Sequence, residues 1–282
     1  MPAFASAVYL GADCIELDIR ASLDTQATVL HDETLERIWG IKQSVASLTY
    51  ERIFEMTKAS DLYVPRLEEV LDAFEVPVMI DFVDDAAVKP IIRALVEQRA
   101  AQRCIISSGN VLALMSIRRE LKNVSIALTW SDVIPPSDSL LQELDVQYFN
   151  PNYRMYQDEF IEQMVLQKSR PGLGKSTQTG LDGQCVPSND ETPHGNMSQD
   201  LLQDDALEEL LQQRMKHPEW YAQYDRCGSH MVQRMHDAGR KVSAWTIDDP
   251  TMMRKMMDLG VDLITTNDTK TLLEVRNGHL IP

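Results

Sequence analysis

Strand-like apolar runs alternate with helix-like segments along most of this chain, and this alternation is its strongest constraint on folding. Strands separated by helices form a parallel sheet with the helices packed outside it. The run at 26–30 follows 14–20 too closely for a crossover helix, so we interpret it as an extension beside that strand. The strands predicted to form the sheet are 14–20, 77–83, 103–107, 124–130, 146–150, 241–247 and 262–266.

The helical patterns between these strands indicate an α/β fold of the TIM-type (β/α) barrel class. Such a barrel has eight parallel strands, so the predicted set is one strand short. A short opening helix is predicted to end at Gly11. The remaining helices are predicted at 67–75, 85–100, 110–121, 157–167, 229–238, 249–259 and 269–276.

Length and composition narrow the class of protein further. A chain of 282 residues suits one barrel of about 250 residues, so we predict a single domain over 1–282. The polar segment 168–205, rich in Gly and Pro, is predicted to be a flexible surface insertion. A net charge of −16 disfavours binding to the phosphates of DNA or RNA, which requires a basic surface.

Cysteine use and hydropathy predict a cytoplasmic protein without an integral membrane segment. Cys14 and Cys104 lie in predicted strands and are expected to be buried free thiols, which fits a reducing compartment. No apolar run approaches the roughly 20 residues that a membrane-spanning helix needs.

Two carboxylates stand two residues apart in the first strand-like run. Side chains at this spacing in a strand point to the same face, so Glu16 and Asp18 lie opposite the apolar Ile15, Leu17 and Ile19. Neighbouring carboxylates repel each other, and a bound Mg²⁺ or Ca²⁺ relieves the repulsion because these cations take oxygen ligands. The alternative is a half-buried strand whose acidic face is solvated.

A histidine followed by an aspartate ends the next apolar run, at His31 and Asp32. Active residues of a barrel sit at the carboxyl ends of its strands, where His31 falls. Histidine titrates near neutral pH and can serve as general acid or general base. Taken alone, a single histidine is more often a structural hydrogen-bonding residue.

Several motifs of the chain match one enzyme family in both residue type and spacing. They include G-A-D-x-I-E-x-D and V-x-H-D-x-x-L-x-R, followed by V-P-R-L-E-E-V-L, an A-W-T strand and a closing G-V-D. With them the chain resembles the glycerophosphodiester phosphodiesterase family over most of its length, except roughly 168–228. The matching segments are 11–18, 29–37, 64–71, 242–247 and 260–267.

The resemblance implies metal-dependent hydrolysis of a glycerophosphodiester to glycerol 3-phosphate and an alcohol, an activity of lipid metabolism. It implies that Glu16, Asp18 and Asp81 hold Mg²⁺ or Ca²⁺, with His31 as one of two catalytic histidines. Trp245 would pack against the alcohol portion of the small-molecule substrate. Two alternatives stay open, because Asp81 could cap the helix after its strand and Trp245 could be a core residue.

The chain departs from the family pattern in three places, so it resembles an N-terminally truncated and partly divergent member. It lacks the first strand with its H-R-G motif, Asp81 replaces a Glu, and Val83 replaces a Lys. These departures support a second hypothesis, a degenerate barrel that binds a ligand or partner without catalysis. A barrel one strand short would also expose strand edges at 14–20 and 262–266, through which chains could form an oligomer.

Overall fold

A computed structural model describes residues 1–58, 62–131, 135–157, 160 and 228–278. The chain divides into two compact units. The first unit consists of Met1–Ser131, Pro136–Asn152 and Met235–Pro282, and the second of Asp132–Pro135 and Tyr153–Arg234. The insertion predicted at 168–205 lies outside the described residues, as does nearly all of the helix predicted at 157–167.

The first unit contains an eight-stranded sheet, and the predicted strands are confirmed. Seven of the eight strands run parallel, and the eighth, β2, pairs antiparallel with the end of β1, as predicted for 26–30. The strand order is β10-β9-β8-β7-β6-β5-β1-β2. The strands are β1 (Ile15–Ala21), β2 (Ala27–Val29), β5 (Val78–Phe82), β6 (Cys104–Ser108), β7 (Ser125–Trp130), β8 (Tyr148–Pro151), β9 (Lys241–Ala244) and β10 (Leu263–Ile264).

Helices follow most of the parallel strands, close to their predicted positions, and the sequence explains several helix starts. Asn110 caps the helix after β6 by accepting a hydrogen bond from the backbone N–H of Ala113, and Asp249 caps the helix after β9 in the same way. The helices are α1 (Pro2–Leu10), α2 (Glu36–Trp39), α3 (Tyr50–Thr57), α4 (Leu67–Ala73), α5 (Val88–Glu97), α6 (Val111–Glu120), α7 (Asp138–Glu143), α8 (His230–Asp237), α9 (Pro250–Asp258) and α10 (Thr269–Arg276).

Burial alternates along β1 as its sequence predicts. Ile15, Leu17 and Ile19 are buried, whereas Glu16 and Asp18 on the other face are partly buried. This alternation assigns the apolar face to the helix layer, because a strand presents successive side chains to opposite faces. The acidic face therefore points to the inside of the sheet.

Helix α1 connects the two ends of the sheet. It contacts β1 and also α10, the helix that follows β10. Nη1 of Arg276 in α10 lies 2.6 Å from Oδ2 of Asp13, just before β1. The sheet therefore curls into an incomplete TIM-type barrel, which confirms the predicted class. Part of the edge predicted to be exposed at 14–20 is covered, because Ile19–Ala21 pair with β2, and association through these edges stays a prediction.

A small subdomain between β2 and α4 was not anticipated from the sequence. It contains the antiparallel pair β3 (Thr34–Leu35) and β4 (Ile41–Ser44), together with α2 and α3. Its buried apolar residues form a separate cluster, which consists of Leu30, Leu35, Val45, Ile53 and Val64. The subdomain follows His31 directly, so it fixes the loop that carries this residue.

The described part of the second unit is small. It has a 3₁₀ turn at Tyr153–Tyr156, and the backbone N–H of Gly228 donates to the carbonyl oxygen of Met155 over 3.1 Å. Among the described helices of the whole chain, none is both long enough and apolar enough to cross a membrane.

Glu69 ties α4 to the preceding loop and to α3. Its carboxylate accepts hydrogen bonds from the hydroxyls of Tyr50 (3.0 Å) and Tyr63 (3.1 Å) and from the backbone N–H and Nε of Arg66 (3.2 and 3.1 Å). Burial opposes ionisation of Glu69, but these hydrogen bonds outweigh it, so the pKa of Glu69 lies below its ordinary value.

We expect Glu69→Gln to lower the free energy of unfolding at pH 7 by about 1–3 kcal/mol, because it weakens bonds to a charged acceptor. A lowered folded pKa means that this stabilisation is present above the unfolded value near 4.5 and is lost as the pH falls through the folded value. Urea denaturation at pH 7 and pH 3 should show the gap between wild type and variant narrowing at pH 3. The exposed Glu75→Gln serves as control, and a gap that widens at pH 3 would contradict this account.

Candidate functional site

The carboxyl ends of the parallel strands all lie at one end of the barrel. The residues singled out by the sequence lie near this end. Asp18 of β1 is in register with Asp81 of β5, which is in register with Ser107 of β6. Glu16 lies on the same face of β1 as Asp18. The structure therefore brings together the three carboxylates that the resemblance assigns to a metal.

The environment of these carboxylates disfavours their charge. Burial raises the pKa of Glu16, and the negative charges of Asp18 and Asp81 raise it further. Burial also raises the pKa of Asp18, although His31 and Arg20 partly oppose this effect. Asp81 reaches a pKa of about 7, since burial and Asp18 outweigh hydrogen bonds from Ser107 and from the backbone of Phe82.

One oxygen of this group has no partner among the residues that the structure describes. Oδ1 of Asp81 is buried and makes no hydrogen bond to any of them, although buried carboxylate oxygens ordinarily find one. Three oxygen-donating carboxylates with an unpartnered buried oxygen match the ligand chemistry of a hard divalent cation. The side chains do not already converge, because no group of three or more His, Cys, Asp or Glu residues among the described positions is arranged as a metal site.

His31 is held from two sides at the carboxyl end of β2. Its Nδ1 lies 3.0 Å from Oδ1 of Asp32, and Nε of Arg20 donates to its backbone carbonyl oxygen over 3.0 Å. Asp32 is itself fixed by Arg37, whose Nε lies 2.5 Å from Oδ2 and whose Nη2 lies 3.1 Å from Oδ1. The hydrogen bond from Arg37 is the main reason that the pKa of Asp32 is lowered. The His31 ring is 65% exposed and therefore accessible to a ligand.

Arg20 is a cation of the site that the sequence reasoning did not single out. It follows Asp18 by two positions on the same face of β1. Its Nη1 donates to Oδ2 of Asp84 over 2.7 Å, whereas Nη2 makes no hydrogen bond to any residue in the described ranges. The sequence feature that could have identified Arg20 as a site residue is its spacing of two positions from Asp18. Val83, which replaces the lysine of the family pattern, is 40% exposed.

Trp245 follows β9 and is partly buried at the same end of the sheet. Its Nε1 donates to the backbone carbonyl oxygen of Asn150 over 3.1 Å, and its backbone forms a bridge with Asn152. The hydrogen bond fixes the indole while leaving part of the ring exposed. Its predicted role as a wall for the substrate's alcohol stays a prediction.

A chain of polar side chains crosses the inner face between Asp81 and Trp245, and the sequence reasoning missed most of it. Ser107 Oγ and Thr129 Oγ1 lie 2.9 Å apart, and Asn150 Nδ2 lies 3.1 Å and 3.3 Å from these two oxygens. Ser243 Oγ donates to Asn150 Oδ1 over 2.7 Å. Detecting these contacts requires the strand register, which spacing along the sequence does not supply.

Known proteins with similar sequences identify the family of this chain. The sequence model of the glycerophosphoryl diester phosphodiesterase family matches residues 1–177, and a second model of the same family matches residues 241–270. The first match covers more than half of the chain. The chain belongs to the glycerophosphoryl diester phosphodiesterase family.

Individual relatives agree with this assignment. A glycerophosphodiester phosphodiesterase of Bacillus altitudinis is 27% identical over 170 residues, which cover 55% of this chain and 69% of the relative. A protein of the same name from Caldanaerobacter subterraneus is 27% identical over 178 residues, which cover 57% of this chain and 72% of the relative. The chain is thus an enzyme of the phosphoric diester hydrolase class, and the non-catalytic hypothesis is not favoured.

Solved structures of the family share the fold. A Thermotoga maritima glycerophosphodiester phosphodiesterase aligns with a TM-score of 0.63 and 16% identity, covering 98% of this chain and 90% of that protein. An Oleispira antarctica phosphodiesterase, solved with the product sn-glycerol-3-phosphate, aligns with a TM-score of 0.60 and 14% identity, covering 98% and 89%. At this identity the likeness supports the barrel fold alone.

The raised pKa of Asp81 makes the stability of the folded chain depend on pH. Since its folded pKa of about 7 exceeds its ordinary value of 3.8, folding retains a proton that the unfolded chain releases, and stability falls as the pH rises from about 3.8 to about 7. We expect Asp81→Asn to melt above wild type at pH 8 in EDTA, by about 2–4 °C for each kcal/mol relieved. The advantage should shrink toward pH 4.

Differential scanning calorimetry across this pH range checks the prediction. Glu97→Gln, which removes an exposed carboxylate far along α5, is the matched control and should leave the curve unchanged. A variant that melts below wild type at every pH would show that the charge of Asp81 is satisfied in the folded chain.

Proposed function

We propose that this chain hydrolyses a glycerophosphodiester to glycerol 3-phosphate and an alcohol with the help of a bound divalent cation. The observation that carries the proposal is the juxtaposition of Glu16, Asp18 and Asp81 at the edge of the sheet where His31 also lies. The Oleispira relative binds sn-glycerol-3-phosphate as product, which supports this substrate class. The reaction would belong to lipid metabolism in the cytoplasm.

The three carboxylates would hold Mg²⁺ or Ca²⁺. Asp81 would contribute the unpartnered Oδ1, and Glu16 and Asp18 would supply further oxygens after their side chains converge. When bound, the cation would neutralise the phosphoryl oxygens as charge develops on them. Side chains of the protein would bind the substrate and transfer the proton, as described next for His31, Arg20 and Trp245.

His31 would transfer a proton at its Nε2. Its Nδ1 faces Asp32, so the opposite ring nitrogen is the one available to a ligand. Asp32 fixes the ring orientation, and Arg37 fixes Asp32. This arrangement suits a general acid or base, which must be held within hydrogen-bonding reach of the reacting oxygen.

Arg20 and Trp245 would bind the two halves of the substrate. Nη2 of Arg20, which hydrogen-bonds to none of the described residues, can donate to a phosphoryl oxygen and supplies the positive charge that Val83 lacks. The exposed part of Trp245 would pack against the alcohol portion.

Release of glycerol 3-phosphate from glycerophosphocholine and glycerophosphoethanolamine tests the proposal directly. We expect hydrolysis with Mg²⁺ or Ca²⁺ and none in EDTA. We expect His31→Asn to lower kcat by about 10²–10⁴-fold, because it removes the proton-transfer group.

His236→Asn is the matched control, since His236 pairs with Asp262 before β9 and β10 begin, away from the carboxyl ends of these strands. Its kcat should match wild type. Absence of hydrolysis from wild type under every cation condition would refute the proposed function.

Arg20→Gln separates phosphate binding from structural support. Loss of a charge-assisted hydrogen bond costs about 1.5–3 kcal/mol, so we expect kcat/KM to fall by about 10–100-fold. Asp84→Asn breaks the same ion pair while keeping the charge of Arg20, and should cost far less. Equal losses in the two variants, measured by steady-state kinetics, would assign Arg20 a structural role.

A further inference from the structure

The interior polar chain consists of Asp81, Ser107, Thr129, Asn150 and Ser243, contributed by the neighbouring strands β5 to β9. Ser107 and Ser243 are fully buried, and Asn150 is 5% exposed. Burying this many polar side chains is costly unless each finds a hydrogen-bond partner. The interior polar chain meets this requirement at every member except Oδ1 of Asp81, because its side chains pair with one another.

The available hydroxyl and amide protons determine which atom donates in each hydrogen bond of the interior polar chain. Ser107 stands in register with Asp81 on the neighbouring strand, so its single hydroxyl proton is placed to reach the Asp81 carboxylate. Ser107 Oγ must then accept at its remaining contacts, so Thr129 donates its hydroxyl proton to it, and Asn150 Nδ2 also donates to it. Ser243 donates to the amide oxygen of Asn150. Every donor therefore points toward Asp81.

Asn150 connects the two parts of the interior polar chain, because its side chain both accepts and donates hydrogen bonds. Its amide oxygen receives Ser243, and its amide nitrogen supports Ser107 and Thr129 together. Its backbone carbonyl independently holds the indole of Trp245. No hydroxyl or carboxylate could make all three side-chain contacts, because none has an NH₂ group beside an acceptor oxygen.

The interior polar chain supplies a hydrogen bond to only one of the two carboxylate oxygens of Asp81. Ser107, in register with Asp81, donates to the carboxylate, while Oδ1 is buried and has no partner in the described part of the chain. A carboxylate held at one oxygen cannot rotate freely, so its other oxygen keeps a fixed direction. In metal sites, hydrogen bonds of this kind orient the ligands and raise affinity.

We propose that Asn150 is a positioning residue that, through Ser107 and Thr129, orients Asp81 for a divalent cation. The proposal rests on the proposed function, because it assumes that Asp81 is a cation ligand. Asn150 would act through these two side chains and not as a ligand of the cation. Its effect is on how tightly the site binds the cation.

The test is an isothermal titration of the purified chain with Mg²⁺ and with Ca²⁺, without substrate. We expect Asn150→Ala to weaken cation binding by about 10–100-fold, the usual effect of removing a supporting hydrogen bond in a metal site. Thr129→Val keeps the side-chain shape and removes one donor, so it should weaken binding by a smaller factor. It decides the question if Asn150→Ala does not fold.

Ser108→Ala is the matched control. Ser108 neighbours Ser107 on β6 and is equally buried, but its hydroxyl donates to the carbonyl oxygen of Phe82 on the outer side, over 2.7 Å. This variant should lose stability while its cation Kd stays at the wild-type value. A purely structural role of Asn150 would give the same result for Asn150→Ala.

The outcomes separate the two proposals. If wild type binds and uses the cation while Asn150→Ala and Thr129→Val bind it equally well, the role of Asn150 is overturned and the proposed function stands. If wild type binds neither cation, the cation-dependent function is overturned together with the role of Asn150.

Discussion

The mutual repulsion of three carboxylates inside one sheet is the constraint on which this site depends. Glu16 and Asp18 share a face of β1, and the parallel register sets Asp18 beside Asp81. Each is partly buried, and each has a raised pKa for that reason. A fold that needed stability alone would place apolar side chains here, because buried like charges destabilise it. Their retention at the carboxyl edge of a barrel points to function.

The rest of the site compensates for this negative charge from two directions. On one side, Arg20 lies beside Asp18 and also donates to the backbone carbonyl of His31, so it links the acidic cluster to the proposed proton-transfer residue. On the other side, the interior polar chain supplies Asp81 with a neutral hydrogen bond. Arg20 adds positive charge to the site. The interior polar chain instead fixes the orientation of Asp81 without adding charge. Neither cancels the negative charge of the three carboxylates, which the proposed divalent cation would balance.

The sequence was sufficient to predict the strands of the barrel and the antiparallel extension at 26–30, because alternation and strand length are local properties. It also predicted that Glu16 and Asp18 share a face. It did not predict Asn150 or Thr129 as site residues, because their contacts depend on the register of β7 and β8. The β3–β4 pair was missed because its strands are too short to show a periodic pattern.

Val83 stands where the family pattern has a lysine, and Arg20 brings a positive charge close to this position. A phosphodiester needs positive charge near its oxygens, but electrostatic attraction depends on distance and not on which strand carries the cation. Arg20 reaches the same edge from β1, and Asp84, just after Val83, holds its guanidinium in place. The anchoring of Arg20 by a residue next to the lost lysine keeps the charge near its former position. The chain therefore departs from the family pattern in sequence while keeping a cation beside the carboxylates.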